Sequence, residues 1–127
     1  MVEINNRTDY DLDLKNLKSL AERAATEKAK LSVAFLEAPE IKKLNERYRD
    51  SKGPTDVLSF EGEDDFLGEV LISPEVVEKQ ADKHGLSFKK EIERVLVHGI
   101  LHLIGYEHKT EDGKKAMKKK EKELLSG

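Results

Sequence analysis

The sequence has no cysteine and no tryptophan, and its apolar residues never form a long uninterrupted run. Without cysteine the chain cannot form disulfides, bind zinc through thiolates or use a cysteine nucleophile. No stretch approaches the roughly 20 apolar residues that a membrane-spanning helix needs, and the first residues lack the basic start and apolar run of a signal peptide. We therefore expect a cytoplasmic protein without a membrane partner.

Neither sign of charge is in large excess, because the 127 residues carry a formal net charge of -3. The distribution is uneven. Residues 1–85 hold 19 acidic and 13 basic side chains, whereas residues 86–127 hold 10 basic and 7 acidic ones. An acidic protein binds nucleic acid poorly through non-specific charge, so any nucleic acid has to bind a local basic surface.

The spacing of apolar residues and turn signals predicts a single α/β (α+β) domain over residues 1–127, with a small mixed sheet of about four strands and about five helices. Strands are predicted over residues 2–7, 31–36, 56–60 and 67–72. Helices are predicted from 13 to about 29, from 39 to about 48, from 73 to about 83, from 87 onward, and from about 110 to 125. The acidic residues 61–65 indicate a solvated hairpin tip rather than a cation site. His84, before Gly85, indicates a helix end rather than a metal ligand.

Three histidines form the most informative pattern of the sequence. His98 and His102 are four residues apart, so on a helix both imidazoles project from one face. Gly105 can end that helix in the left-handed conformation, and the chain can then bring His108 to the same point. Three nitrogen ligands leave a fourth tetrahedral position for water, which is typical of a catalytic zinc site.

The alternative is that these histidines are hydrogen-bonded residues of the core, because apolar side chains wrap most of the predicted helix. Three of the four histidines of the chain nevertheless lie within 11 residues, and this clustering favours a metal. The ligand spacing matches the metzincin proteases. Those enzymes need a glutamate general base directly after the first histidine, where this chain has Gly99, so the sequence disfavours proteolysis.

Residues 98–108, HGILHLIGYEH, closely resemble the H-G-x-L-H-L-x-G-Y-D-H signature of the YbeY family of bacterial metallo-endoribonucleases. Residues 44–60, which include LNERYR and PTDVLSF, resemble that family's L-N-x-x-Y-R…P-T-D-V-L-S-F block. Residues 68–72, GEVLI, resemble its G-D-I-x-I strand. The three blocks follow the family's order and, with the segments between them, span about residues 35–108.

This resemblance implies a zincin-like metal-binding helix and one divalent metal per chain, with zinc the metal expected. It also implies a single-strand-specific endoribonuclease that processes ribosomal RNA, matures the 3′ end of small-subunit (16S) rRNA and acts in ribosome quality control. The implied partners are single-stranded RNA or rRNA and the small ribosomal subunit with its proteins. No DNA partner is expected.

Carried over position by position, the resemblance assigns the metal to His98, His102 and His108 and catalytic roles to Arg49 and Glu107. By residue type alone, Arg49 indicates a surface ion pair at a helix end. The resemblance instead indicates a phosphate contact, for which an arginine fork is suited. Glu107 replaces the family's usual aspartate and is expected to orient a histidine or to transfer a proton. Whether the nucleophile is metal-bound water or the RNA 2′-hydroxyl stays open.

Two other functions remain open at this point. One is another zinc-dependent hydrolase on the same scaffold, and the other is a non-enzymatic ribosome-assembly factor with a structural metal. The segment 109–123, with seven lysines and four acidic residues, has two interpretations of equal weight. It either guides RNA or the ribosome to the site, or it is a solvated amphipathic helix that packs through Ala116, Met117, Leu124 and Leu125.

Overall fold

The computed structural model describes residues 1–25, 30–49, 55–106 and 110–126, apart from the side chains at positions 48 and 49. In this part of the chain it contains four strands, β1 (Val2–Asn6), β2 (Lys30–Phe35), β3 (Val57–Glu61) and β4 (Phe66–Ile72). It also contains five helices, α1 (Leu14–Ala25), α2 (Ala38–Arg49), α3 (Pro74–His84), α4 (Phe88–Ile104) and α5 (Glu111–Ser126). The predicted numbers of strands and helices are confirmed for the described residues.

The strands form one mixed sheet in the order β1-β2-β4-β3. β1 runs parallel to β2, and β2 runs parallel to β4. β3 lies at the edge and pairs with β4 in the antiparallel direction. The acidic turn between β3 and β4 is mostly exposed, as predicted for a hairpin tip. The α/β architecture expected from the sequence is confirmed.

Alternating side chains of the strands build one layer of core on each face of the sheet. Val33 and Val70 are fully buried in the larger layer, together with apolar residues of α1, α3, α4 and α5. Leu71 points to the opposite face and packs with Leu58 and with Ile41 of α2. Each fully buried side chain of this kind contributes about 1.5–3 kcal/mol to folding. The larger layer therefore fixes α4 against the sheet.

The central helix of the fold is α4, which contacts α1, α3, α5, β3 and β4. It begins after Ser87, whose hydroxyl accepts a hydrogen bond from the Lys90 amide at 3.2 Å. Its apolar residues from Ile92 to Leu101 are buried, as predicted, but Leu103 and Ile104 in the last turn are only partly buried. Although α4 is 17 residues long, neither it nor any other helix of the described chain is long and apolar enough to cross a membrane.

The last helix, α5, packs on the core through Met117 and Leu124. The prediction that Ala116 and Leu125 belong to the same buried face is wrong, because both are exposed. Each of them is one position from a buried residue, and one position rotates a side chain by about 100° around a helix. The apolar stripe of α5 is therefore narrower than the sequence suggested.

Candidate metal centre on the central helix

The two histidines predicted to share a helix face, His98 and His102, both lie on α4, one turn apart. The His98 side chain is 35% exposed, and His102 is exposed. Neighbouring Val97, Ile100 and Leu101 are buried. The histidines thus stand at the boundary between core and solvent, where a ligand can reach them, and neither is a buried core residue.

A carboxylate from the next helix holds the ring of His98. The Nδ1 atom of His98 donates to Oε1 of Glu121 at 2.9 Å, and the Glu121 side chain is only 16% exposed. Because a carboxylate only accepts hydrogen bonds, this contact places the proton of the neutral imidazole on Nδ1 and the lone pair on Nε2. Metal-bound histidines commonly have this arrangement, in which a carboxylate orients the ring and raises its basicity.

The donor set of the described residues fits a divalent metal in its chemistry but is incomplete. His98 and His102 supply two imidazoles on one face of α4. Within residues 1–25, 30–49, 55–106 and 110–126, no group of three histidine, aspartate or glutamate side chains is placed to hold a metal ion. The third predicted ligand, His108, lies outside the described residues, as does Glu107. α4 ends as predicted at Gly105, which has φ 117°.

The structure explains why a glycine follows His98. A Cβ atom at position 99 would lie 3.0 Å from Cγ1 of Val70, 3.2 Å from Cγ2 of Val57 and 3.3 Å from Oγ of Ser59. The Ser59 hydroxyl also donates to the Gly99 carbonyl at 3.2 Å. Position 99 therefore points into the sheet, where α4 approaches β3 and β4 closely, and it does not present a general base beside His98.

Arg49 is the last residue of α2, but its side chain is outside the described part of the structure. Its predicted role as a phosphate contact therefore remains a proposal, like the role of Glu107.

The sequence did not reveal a polar network at the start of α4. Glu91 is completely buried, and its two carboxylate oxygens accept hydrogen bonds from Nε of Arg94 and from Nδ1 of His84, each at 2.5 Å. Burial raises the pKa of Glu91, but the hydrogen bonds and charges of Arg94 and His84 outweigh it and lower the pKa below 4.5. His84 is the last residue of α3, as predicted, and it also hydrogen-bonds a buried carboxylate, which was not predicted.

We predict that Glu91→Gln destabilises the protein by about 1–3 kcal/mol, because a neutral amide replaces a buried carboxylate that accepts hydrogen bonds from Arg94 and His84. The lowered pKa of Glu91 also predicts how the stability of the protein depends on pH. Glu91 stabilises the fold above about pH 4.5, and this contribution is lost as the pH falls towards the pKa of the folded state. The wild type should therefore lose stability on acidification more steeply than Glu91→Gln in urea unfolding.

The matched control for this prediction is Glu22→Gln, which removes an exposed carboxylate of α1. We expect Glu22→Gln to change the free energy of unfolding by less than about 0.5 kcal/mol. Parallel pH profiles for Glu91→Gln and the wild type would contradict the role of the buried carboxylate.

Comparison with known proteins identifies the family of the chain. The family Endoribonuclease YbeY matches residues 3–127. The chain belongs to the YbeY family. The Endoribonuclease YbeY of Fusobacterium nucleatum is 38% identical over 135 residues, which cover 99% of this chain and 82% of that protein. The one from Sulfurovum is 34% identical over 134 residues, covering 98% of this chain and 88% of its relative.

A solved structure supports the same assignment. The solution structure of TM1509 from Thermotoga maritima matches with a TM-score of 0.71 and 32% identity, over 99% of this chain and 90% of that one. Membership of the YbeY family confirms the prediction of an RNA-cleaving, metal-dependent hydrolase in rRNA processing. It does not favour the other zinc hydrolase or the non-enzymatic assembly factor.

Proposed function

We propose that residues 1–127 form one endoribonuclease domain that cleaves single-stranded RNA with one zinc ion held by His98, His102 and His108. The observation that carries the metal assignment is the contact between His98 and Glu121, one turn before His102 on α4. The proposed substrate is ribosomal RNA at the 3′ end of the small-subunit species. The proposed reaction takes place on the small ribosomal subunit in the cytoplasm, and the protein is proposed to act in ribosome quality control as well.

A divalent metal at this position would polarise a phosphoryl oxygen and lower the pKa of a water molecule. Two features of the described residues suit this metal site. Glu121 keeps the proton of His98 on Nδ1, so Nε2 carries the lone pair that a metal needs. Gly99 lets α4 lie close to β3 and β4, which fixes the helix that carries both histidines.

Arg49 and Glu107 complete the proposed machinery. A single metal lacks the second cation of two-metal nucleases, so an arginine is expected to stabilise the charge that develops on the phosphate. We assign that role to Arg49, whose guanidinium can bind two phosphate oxygens at once. We assign to Glu107 the orientation of a neighbouring histidine or a proton transfer.

The proposed activity is tested by comparing a single-stranded RNA with the same sequence in a duplex. Metal-loaded wild type should cleave the single strand and spare the duplex. A chelator should stop the reaction, and His98→Ala should be inactive under the same conditions. Cleavage that persists in His98→Ala would exclude this histidine from the site, and equal cleavage of both substrates would exclude single-strand specificity.

We predict that Glu121→Ala weakens zinc affinity by about 10- to 100-fold, because the carboxylate that orients a ligating histidine is lost. Competition with a chromophoric chelator measures this affinity without relying on RNA cleavage. Glu121→Gln keeps a hydrogen-bond acceptor and should recover part of the loss. Glu123→Ala, which removes an exposed carboxylate of α5, serves as the control and should bind zinc as the wild type does. Equal affinity in Glu121→Ala and Glu123→Ala would remove Glu121 from the metal site.

A further inference from the structure

A small cavity of about 170 Å³ lies beside His98, where α4 meets α5. Its lining contains three cationic side chains, one carboxylate, one histidine and the buried Met117, as follows: Arg94, His98, Lys114, Met117, Lys118 and Glu121. The cavity therefore joins the face of α4 that carries the proposed metal ligands to the lysine-rich face of α5.

The buried Glu91 orients Arg94 on the side of α4 that lines the cavity. Arg94 precedes His98 by four residues, so both side chains project from the same side of α4. Its Nε atom donates to the fully buried Glu91, and the Arg94 side chain remains 33% exposed. Among the described residues, Glu91 is its only hydrogen-bond or ion-pair partner. The two terminal Nη groups thus have donors available for a ligand while the guanidinium plane is already oriented.

Lys114 and Lys118 are one helical turn apart on α5 and are both exposed. Within the part of the chain that the structure describes, neither side chain forms an ion pair. The one carboxylate in the lining, Glu121, accepts from His98. Arg94 pairs with the buried Glu91, so the two lysines outnumber the single carboxylate of the lining and leave the cavity cationic.

We propose that this cavity binds a backbone phosphate of the RNA substrate other than the phosphate that is cleaved. The proposal rests on the proposed function, because His98 marks the position of the reaction. A phosphodiester carries one negative charge and several acceptor oxygens, which suit a guanidinium fork and two lysines. Phosphate contacts of this kind fix the register of a nucleic acid without reading its sequence. Arg94, Lys114 and Lys118 are therefore substrate-positioning residues.

Two double variants of α5 test this phosphate site. Lys114→Gln/Lys118→Gln removes both cavity lysines. Lys115→Gln/Lys119→Gln removes two exposed lysines of the same helix that do not line the cavity. The two variants have the same composition, charge and helix propensity. The probe is a fluorescent 2′-O-methyl decauridylate, titrated against the zinc-loaded proteins at several salt concentrations, and its integrity is checked by electrophoresis afterwards.

We expect the cavity variant to bind the probe at least about five-fold more weakly than the control variant near 0.1 M salt. Loss of one phosphate contact should also reduce the slope of log K against log salt concentration by about 0.7. Arg94→Lys should weaken binding as well, because an ammonium cannot form the fork. Equal affinities and equal slopes for the two double variants would overturn the proposal.

Zinc content separates this proposal from the proposed function. Both double variants should bind as much zinc as the wild type, because neither changes a proposed ligand. If zinc is retained and only the cavity variant loses RNA affinity, the phosphate site is supported. If RNA affinity falls equally in both double variants, the effect is one of general charge and the phosphate site is wrong, whatever the zinc content.

Discussion

Replacing both helix histidines, in His98→Ala/His102→Ala, should remove the bound divalent metal and reduce RNA cleavage to the background rate. Two of three proposed ligands are lost, and a single imidazole cannot retain the ion at ordinary concentrations. Metal analysis of protein purified without a histidine tag should give about one ion per wild-type chain and almost none per variant chain. Neither side chain is buried in the core, but His98 donates to Glu121, so the variant should unfold slightly below the temperature of metal-free wild type.

His84 offers the matched control for this experiment. It is the one histidine of the chain outside residues 98–108, and it binds Glu91 rather than a proposed metal ligand. His84→Ala should lower stability through Glu91 but keep the full metal content. Equal metal content in the wild type and in His98→Ala/His102→Ala would contradict the assignment of the site to α4.

The second large effect is expected at Arg49. Arg49→Glu should lower the single-turnover cleavage rate of a single-stranded RNA by about 100- to 1,000-fold, because one preorganised charge contact to the phosphate is lost. Arg49→Lys should recover only part of that rate, since an ammonium cannot bind two oxygens as a fork. Metal content should not change, and the free energy of unfolding should change by less than about 0.5 kcal/mol.

Arg47→Glu makes the same change of charge two residues earlier on α2, at a position rotated by about 200° around the helix axis. We expect it to lower the cleavage rate far less than Arg49→Glu does. Full activity in Arg49→Glu would remove the arginine from the mechanism. A large loss of stability in Arg49→Glu would instead assign the residue to the structural ion pair that its position at a helix end also suggested.

Local signals in the sequence were sufficient to predict the helices, the strands and the fold class, whereas the order of the strands in the sheet was not predicted. Two helices begin and end at residues that can be recognised in the sequence: α3 begins after Ser73 and ends at Gly85, and α4 begins after Ser87 and ends at Gly105. Each of these residues acts within one turn of its own helix, so no information about tertiary packing is needed to find it. The exposed Ala116 and Leu125 show the limit of this approach. Which apolar residues of an amphipathic helix are buried depends on how the helix meets the core, and composition does not determine that.

The candidate site was predictable only where its residues share one helix. The four-residue spacing of His98 and His102 places both on one face of α4 without further information. Glu121 lies on a different helix, and only the packing of α5 on α4 brings it to His98. One feature of the sequence pointed to Glu91, namely a carboxylate at an apolar position of a helix predicted to be buried. Its contact with His84 could not be predicted, because that contact depends on the turn of the chain at Gly85.

Stoichiometric reconstitution of the metal tests the central claim most directly, namely that RNA cleavage depends on a single metal ion held by the histidines of α4. Metal-free wild type should be inactive on single-stranded RNA and should regain cleavage in proportion to added zinc, with a plateau near about one equivalent. His98→Ala should stay at background over the same range. Full cleavage by the metal-free wild type, or recovery of His98→Ala at one equivalent, would contradict the account.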